Sequence, residues 1–297
     1  MDRLAAMSVF VAVVEAGSFS GAARQLRMPV STVSRKVSEL EAQLTAQLLT
    51  RSTRKLALTE AGAAYLAACK RILEDVTAAE RGASGEYQAP RGELAITAPI
   101  VFGRLHVVPL VAEFLQLYPE VNVLLTLADR PLHLLDEHLD LAVRVGELPD
   151  STLVATRIGL LRKVVCASPD YLAKHGTPRT PPELATHECV SFSGLTGPED
   201  WSFGNRGEEE RIRIRARLVV NTAEAALDAA IAGAGLTRVL SYQAAAALKA
   251  GALAIVLKKY EPAPLPVSLV YSRQAMLPQK LRVFLDFAAP RLKAQLV

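Results

Sequence analysis

Residues 18–44 read SFSGAARQLRMPVSTVSRKVSELEAQL, two helical segments on either side of a short turn. In the second segment Val33, Val37, Leu40 and Leu44 recur at steps of four, three and four residues, which aligns them on one helical face. That face has to be buried. A rotation of about 100° per residue then sets Ser31, Arg35 and Ser38 opposite it, flanked by Thr32, Ser34 and Glu39. Short hydroxyl side chains let a helix sit close in the major groove, and the planar fork of an arginine matches guanine or straddles a phosphate. Pro29 fits near the first turn, where its missing N–H costs nothing. These residues point to a DNA-reading helix-turn-helix, although periodicity alone fits any amphipathic helix pair with a polar outer face equally well.

The charge distribution separates the two readings. From Arg24 to Lys55 stand seven basic residues (Arg24, Arg27, Arg35, Lys36, Arg51, Arg54, Lys55) against Glu39 and Glu41, whereas the whole 297-residue chain carries a net charge of only +4. A concentrated basic segment is the footprint of phosphate binding. Upstream, Met7, Phe10, Val11 and Val14 lie at helical spacing in a segment from Leu4 to Ala16, which Gly17 stops; Ser18 caps the next helix, where Ala22 and Ala23 permit close packing. Downstream, Leu48 to Thr59 reads as two extended runs around a basic turn, a β-wing. Arg51, Arg54 and Lys55 would lie beside the duplex backbone or in the minor groove.

The segments GSFSGAARQL, STVSRKVSELEAQL and LLTRSTRKLALTEAG resemble, in order and spacing, the N-terminal winged helix-turn-helix of LysR-type transcriptional regulators. The sequence departs from the common pattern at Val30, where glutamine is frequent, at Thr45, where glycine is usual, and at Leu49, where phenylalanine is usual. The first bears on base preference and the other two on packing.

A long helix is expected from Thr59-Glu60-Ala61-Gly62 to about Gly85, with Gly62 tolerated near its start. Leu66, Cys69, Leu73 and Val76 form a short coiled-coil-like seam, which the resemblance makes a dimerisation helix; packing against its own domain is the alternative. Three regions follow: a DNA-binding domain over 1–58, a linker and hinge over 59–91, and an effector domain over 92–297. In the last, strands alternate with helices, the mark of an α/β domain. Strands are expected at Leu94–Thr97, Val121–Leu127, Leu141–Val145, Leu153–Ile158, Lys163–Ser168, Arg213–Val220 and Val267–Tyr271. Helices are expected at about Pro99–Tyr118, Leu132–Glu137, Ala223–Ala232 and Gln279–Leu292. The resemblance extends more loosely to an effector domain like a periplasmic binding protein. It implies one subdomain of about 92–161 and 267–297, a second of about 162–266, and crossovers near Leu161–Ala167 and Pro262–Tyr271.

Such a fold offers a cleft at strand ends beside helix N-termini, whose free N–H groups attract anions. Thr97, Ala98, Pro99 and Ile100, with Asn221 and Thr222, join strand to helix in the two halves, and the resemblance places both stretches in the effector cleft. Thr97 would supply a hydroxyl, the amides beyond Pro99 would hold a carboxylate, and Phe102, Phe192 and Trp201 would form an apolar wall. Helix capping and core packing are the structural roles these same residues could fill instead.

Other chemistries find no support in the sequence. Cys69, Cys166 and Cys189 are widely spaced with no CxxC, the five histidines form no metal-ligand run, and no cofactor or catalytic set is expected. Gly233-Ala234-Gly235 has Arg238 where a dinucleotide fingerprint needs its third glycine, and the motif from Gly17 to Gly21 has Phe19 where a nucleophile elbow needs serine. The apolar stretch Met7–Val14 is short and has no basic leader, so neither a signal peptide nor a membrane span is expected and the location should be cytoplasmic. The expected function is a ligand-responsive transcription factor sensing a small anionic metabolite, with promoter DNA, the effector, RNA polymerase and copies of itself as partners. An α/β enzyme carrying an accessory binding module, or an exported solute-binding protein, fits less of the chain.

Overall fold

The computed structural model describes residues 2–51, 56–84, 89–130, 132–134, 136–149, 152–192, 200–204, 210–274 and 277–296; at 51, 74–75, 78–79 and 81–84 it describes the backbone alone. Contacts divide the chain into two compact units, 1–89 and 90–297.

In the first unit α1 (Arg3–Glu15), α2 (Phe19–Leu26) and α3 (Val30–Leu44) surround a core of Val9, Phe10, Val13, Ala22, Val33, Val37 and Leu40. Ser18 caps α2 by accepting the Gly21 N–H at 3.0 Å, and Gly17 turns the chain with a φ of 63°. β1 (Leu49–Arg51) and β2 (Leu56–Leu58) pair antiparallel as the wing. In α4 (Glu60–Ser84) Cys69 is fully buried in the same core, Leu66 and Leu73 pack against it, and the ring of Tyr65 lies 5.9 Å from that of Phe10. Three of the four expected seam residues thus contact the helix's own unit: Cys69 is sealed within it, whereas Leu66 and Leu73 are half-buried. Gly62 is not merely tolerated, because a Cβ there would meet the Leu48 carbonyl oxygen at 1.9 Å. Only glycine lets α4 start against the wing.

The second unit holds two mixed sheets. The first has the strand order β4-β3-β5-β14-β6, from β3 (Gly92–Ala98), β4 (Val121–Leu127), β5 (Leu141–Val145), β6 (Leu153–Leu161) and β14 (Leu265–Ser272). Between β3 and β4 the chain forms α5 (Ile100–Phe102), a π turn (Gly103–Val107) and α6 (Val108–Leu117). Residues Ile100–Leu117 are long and apolar enough to cross a membrane, yet Phe102, Val107, Leu110, Val111 and Phe114 lie in the core against α10 (Gln279–Gln295). The expected single helix is thus interrupted by the π turn. The expected helix at Leu132–Glu137 is absent from its described residues; turns there bury Leu132 and Leu134, and the Arg144 guanidinium donates to the Leu132 carbonyl.

The second sheet runs β11-β8-β12-β7-β13, from β7 (Lys163–Ala167), β8 (Glu188–Phe192), β11 (Arg215–Val220), β12 (Leu236–Leu240) and β13 (Ala254–Val256). Helices α8 (Ala223–Ile231) and α9 (Ser241–Lys249) cover one face. The other carries α7 (Pro169–His175) and a hairpin of β9 (Asp200–Phe203) with β10 (Glu210–Arg213). The expected strand Arg213–Val220 is two strands, split at Ile214 between the hairpin and the sheet. The chain crosses between subdomains at Arg162 and again before Leu265, so β7 and β14 each belong wholly to one sheet rather than to a crossover.

Candidate DNA-reading face and effector cleft

The apolar stripe of α3 is buried as its spacing requires: Val33, Val37 and Leu40 are closed to solvent, while Ser31, Arg35 and Ser38 are exposed and Thr32 and Ser34 half-buried. Arg35, its side chain 70% exposed, reaches Glu39 one turn on at 3.6 Å. Such a loose exposed pair leaves the guanidinium available to a groove. Val30, the first residue of the helix, is 48% exposed. Of the expected wing cations, Arg54 and Lys55 lie outside the described residues, and Arg51 is described only as backbone in β1.

Glu41 has a role that sequence reading missed. Its Oε1 accepts the backbone N–H groups of Leu48 and Leu49 at 2.8 and 3.1 Å, fixing the wing to α3. A charge-assisted bond of this kind is stronger than a neutral one. Nothing in the one-dimensional pattern distinguishes Glu41 from an ordinary solvated carboxylate.

In the second unit, Thr97 and Ala98 end β3 and are buried, whereas Pro99 and Ile100 are half-buried. The Ile100 N–H donates to Asp129 Oδ1 at 3.0 Å, and the phenol oxygen of Tyr242, at the start of α9, is hydrogen-bonded to the Phe102 backbone. Of the amides beyond Pro99 expected to hold a ligand carboxylate, that of Ile100 is thus taken by the chain's own Asp129. Burial, then the nearby Asp129 carboxylate, pushes the Tyr242 phenol well up from its ordinary range. Its ring meets those of Phe102 and His106 at 5.6 Å each, and His106 Nδ1 lies 3.0 Å from Gln295 Oε1.

Across from this, Thr222 Oγ1 accepts the Ala225 N–H at 3.3 Å and so caps α8, and Asn221 is exposed beside it. Arg104 Nη2 donates to Glu224 Oε1 at 2.5 Å, joining the π turn of the first subdomain to the first turn of α8 in the second. Neither residue was marked by sequence, because the two stand 120 positions apart. The three aromatic side chains expected to wall the cleft belong to cores instead. Phe102 is sealed in the first sheet's core, Phe192 lies under α8, and Trp201, in β9, packs from the hairpin onto the second sheet with the Arg238 guanidinium 5.3 Å from its ring. Arg238, pushed down to about 10 by burial, also donates to the Ser202 carbonyl at 3.0 Å. These aromatics bury large area at little entropic cost, which is a core task.

Comparison with known proteins agrees with both units. Residues 4–63 match the bacterial regulatory helix-turn-helix protein, lysR family, and residues 87–293 match the LysR substrate binding domain. The HTH-type transcriptional activator AaeR of Escherichia coli (strain K12) is 36% identical over 286 residues, covering 96% of this chain and 93% of its own length. The structure of CrgA, a LysR-type transcriptional regulator from Neisseria meningitidis, superposes with a TM-score of 0.62 at 35% identity, covering 97% of this chain and 98% of that one. Full-length AphB of Vibrio cholerae aligns with a TM-score of 0.61 at 28% identity over 96% of this chain and 98% of its own. The chain is a DNA-binding transcriptional regulator and belongs to the LysR family.

Proposed function

We propose that this regulator reads promoter DNA through the outer face of α3, holds the adjoining phosphates through its wing, and changes its hold when a small anionic metabolite enters the cleft of the second unit. The observation that carries the first part is the division of α3 into a sealed apolar stripe and an open face of Ser31, Arg35 and Ser38, with Thr32 and Ser34 at its margins. Arg51, Arg54 and Lys55 are assigned to phosphate, and sequence preference to the α3 residues. The chain regulates rather than catalyses, in the cytoplasm where promoter DNA and RNA polymerase are found. It acts as a homodimer or homotetramer. Support for self-association comes from Leu124 on β4 and from Leu218 and Val219 on β11, apolar side chains exposed on the outermost strands of the two sheets. A second copy would cover these edges.

The effector site takes in Ala98, Pro99, Ile100, Asn221 and Thr222, with Thr97 behind them. A ligand bound there contacts both subdomains, so its affinity differs between open and closed arrangements and shifts their balance. The test is selection from a random duplex pool with the full-length protein, repeated with Ser31→Ala and Arg35→Ala variants. One recurring motif is expected for the unaltered chain and an altered or lost motif for the variants. Enrichment of no motif, or of the same motif by all three, would refute base reading by α3.

A further inference from the structure

The Arg104–Glu224 pair bridges the two subdomains where the effector cleft is proposed; its N–O separation is 2.5 Å and its side chains are 57% and 39% exposed. Three of its features together suit it to exchange. It joins the two subdomains, so whatever replaces it also alters what holds them together. It is open to solvent, and pairs of this kind contribute little to stability, so exchange of one carboxylate for another costs little. Its acidic member stands in the first turn of α8, a nine-residue helix, where a negative charge is favoured by the helix dipole even without a cation. Glu224 can therefore let go of Arg104 and remain stabilised.

We infer that Glu224 is an internal stand-in for the carboxylate of the effector, and that a monocarboxylate ligand binds by taking Arg104 from it. This rests on the cleft reading above. A guanidinium holds a carboxylate through two parallel N–H···O bonds, a geometry that a carboxamide cannot match without loss of charge. The alternative anchor for an anion, the amide at Ile100, is already satisfied by Asp129. The carboxylates of Asp129 and Glu224 both help to raise the Tyr242 phenol, after burial. Once Arg104 holds the first carboxylate, a second negative charge on the ligand would add to those of Asp129 and the displaced Glu224 and meet more repulsion than compensation. The site therefore selects one carboxylate on an otherwise uncharged body.

The experiment compares propionate with propionamide, phenylacetate with phenylacetamide, and the dianion succinate, by thermal melting of the full-length protein. Four proteins are compared: the unaltered chain, Glu224→Gln, Arg104→Met and Arg104→Lys. At least one monocarboxylate should raise the melting temperature while its amide and succinate do not. Glu224→Gln should lower the midpoint concentration about tenfold, Arg104→Lys should weaken binding, and Arg104→Met should abolish it. Cooperative melting of each variant without ligand shows that it folds. Equal shifts by acid and amide, or equal midpoints in the unaltered chain and Glu224→Gln, would overturn the exchange. So would the absence of any carboxylate effect in both proteins. A neutral probe that stabilises the unaltered chain and Arg104→Met alike would leave the cleft reading intact and remove Arg104 from it.

Discussion

Arg162 and Glu261 face each other where the chain crosses between the subdomains of the effector-binding unit, with Arg162 Nη1 2.9 and 3.1 Å from the two carboxylate oxygens of Glu261. The Arg162 carbonyl also accepts the Ser241 N–H at 2.8 Å, so this residue links the crossover to the start of α9 as well. The Glu261 side chain is only 12% exposed. Arg162→Ala leaves that carboxylate without its partner and should cost about 1 kcal/mol, allowing for the exposure of the arginine. Denaturant unfolding checks the figure, and a variant as stable as the unaltered chain would make the pair incidental.

Thr45 ends α3 in the left-handed region, with a φ of 49°. A β-branched residue is strained there by about 1–2 kcal/mol, and glycine recovers most of this less its larger unfolded-state entropy. Thr45→Gly should therefore stabilise the chain by about 0.5–1 kcal/mol. Loss of the bond from Thr45 Oγ1 to the Leu44 carbonyl, 2.7 Å long and exposed, should offset little of the gain. Chemical denaturation of the pair of proteins decides the sign.

Gly62→Ala should act in the opposite direction. With the Leu48 carbonyl oxygen 1.9 Å from the added carbon, backbone must shift, and overpacking of that kind costs about 3 kcal/mol. Because Glu41 fixes the same Leu48 to α3, DNA affinity should fall with stability. An alanine variant that melts and binds normally would show that the wing tolerates displacement.

Burial pushes the thiols of Cys166 and Cys189 up to about 12 and raises that of Cys69. A raised thiol pKa keeps sulfur protonated at neutral pH, and only the thiolate reacts. In the native protein at pH 8 none of the three cysteines should react promptly with dithiobis(nitrobenzoate), and all three should react in denaturant. Rapid release of even one equivalent from the native chain would contradict this burial.

The winged helix-turn-helix was readable from sequence because each local signal agreed: Ser18 as a cap, Gly17 as a stop, and Val33, Val37 and Leu40 on one face. The α/β character of the rest was also legible, from strands and helices in alternation, whereas its division into two halves came only from the family resemblance. What failed required knowledge of distant neighbours. Leu66, Cys69 and Leu73 have the same spacing whether their partner is another subunit or α1; the core of their own unit seals Cys69 and leaves Leu66 and Leu73 half-buried. Phe102, Phe192 and Trp201 are apolar near the expected cleft, but periodicity does not say which side of a sheet they fill. The pairs Arg104–Glu224 and Ile100–Asp129 join residues 120 and 29 apart, and single-sequence spacing carries no signal for either.

Base reading by α3 is tested most directly by comparing Arg35→Ala with Arg54→Ala on the selected duplex and a scrambled one across a salt series. Arg35→Ala should cost about 1–3 kcal/mol on the selected duplex and much less on the scrambled one. Arg54→Ala should weaken both alike and make the slope of log affinity against log salt shallower by about one. An equal loss on both duplexes for Arg35→Ala would contradict the account: Arg35 would then touch only phosphate, and discrimination would have to come from Ser31, Thr32 or Ser34.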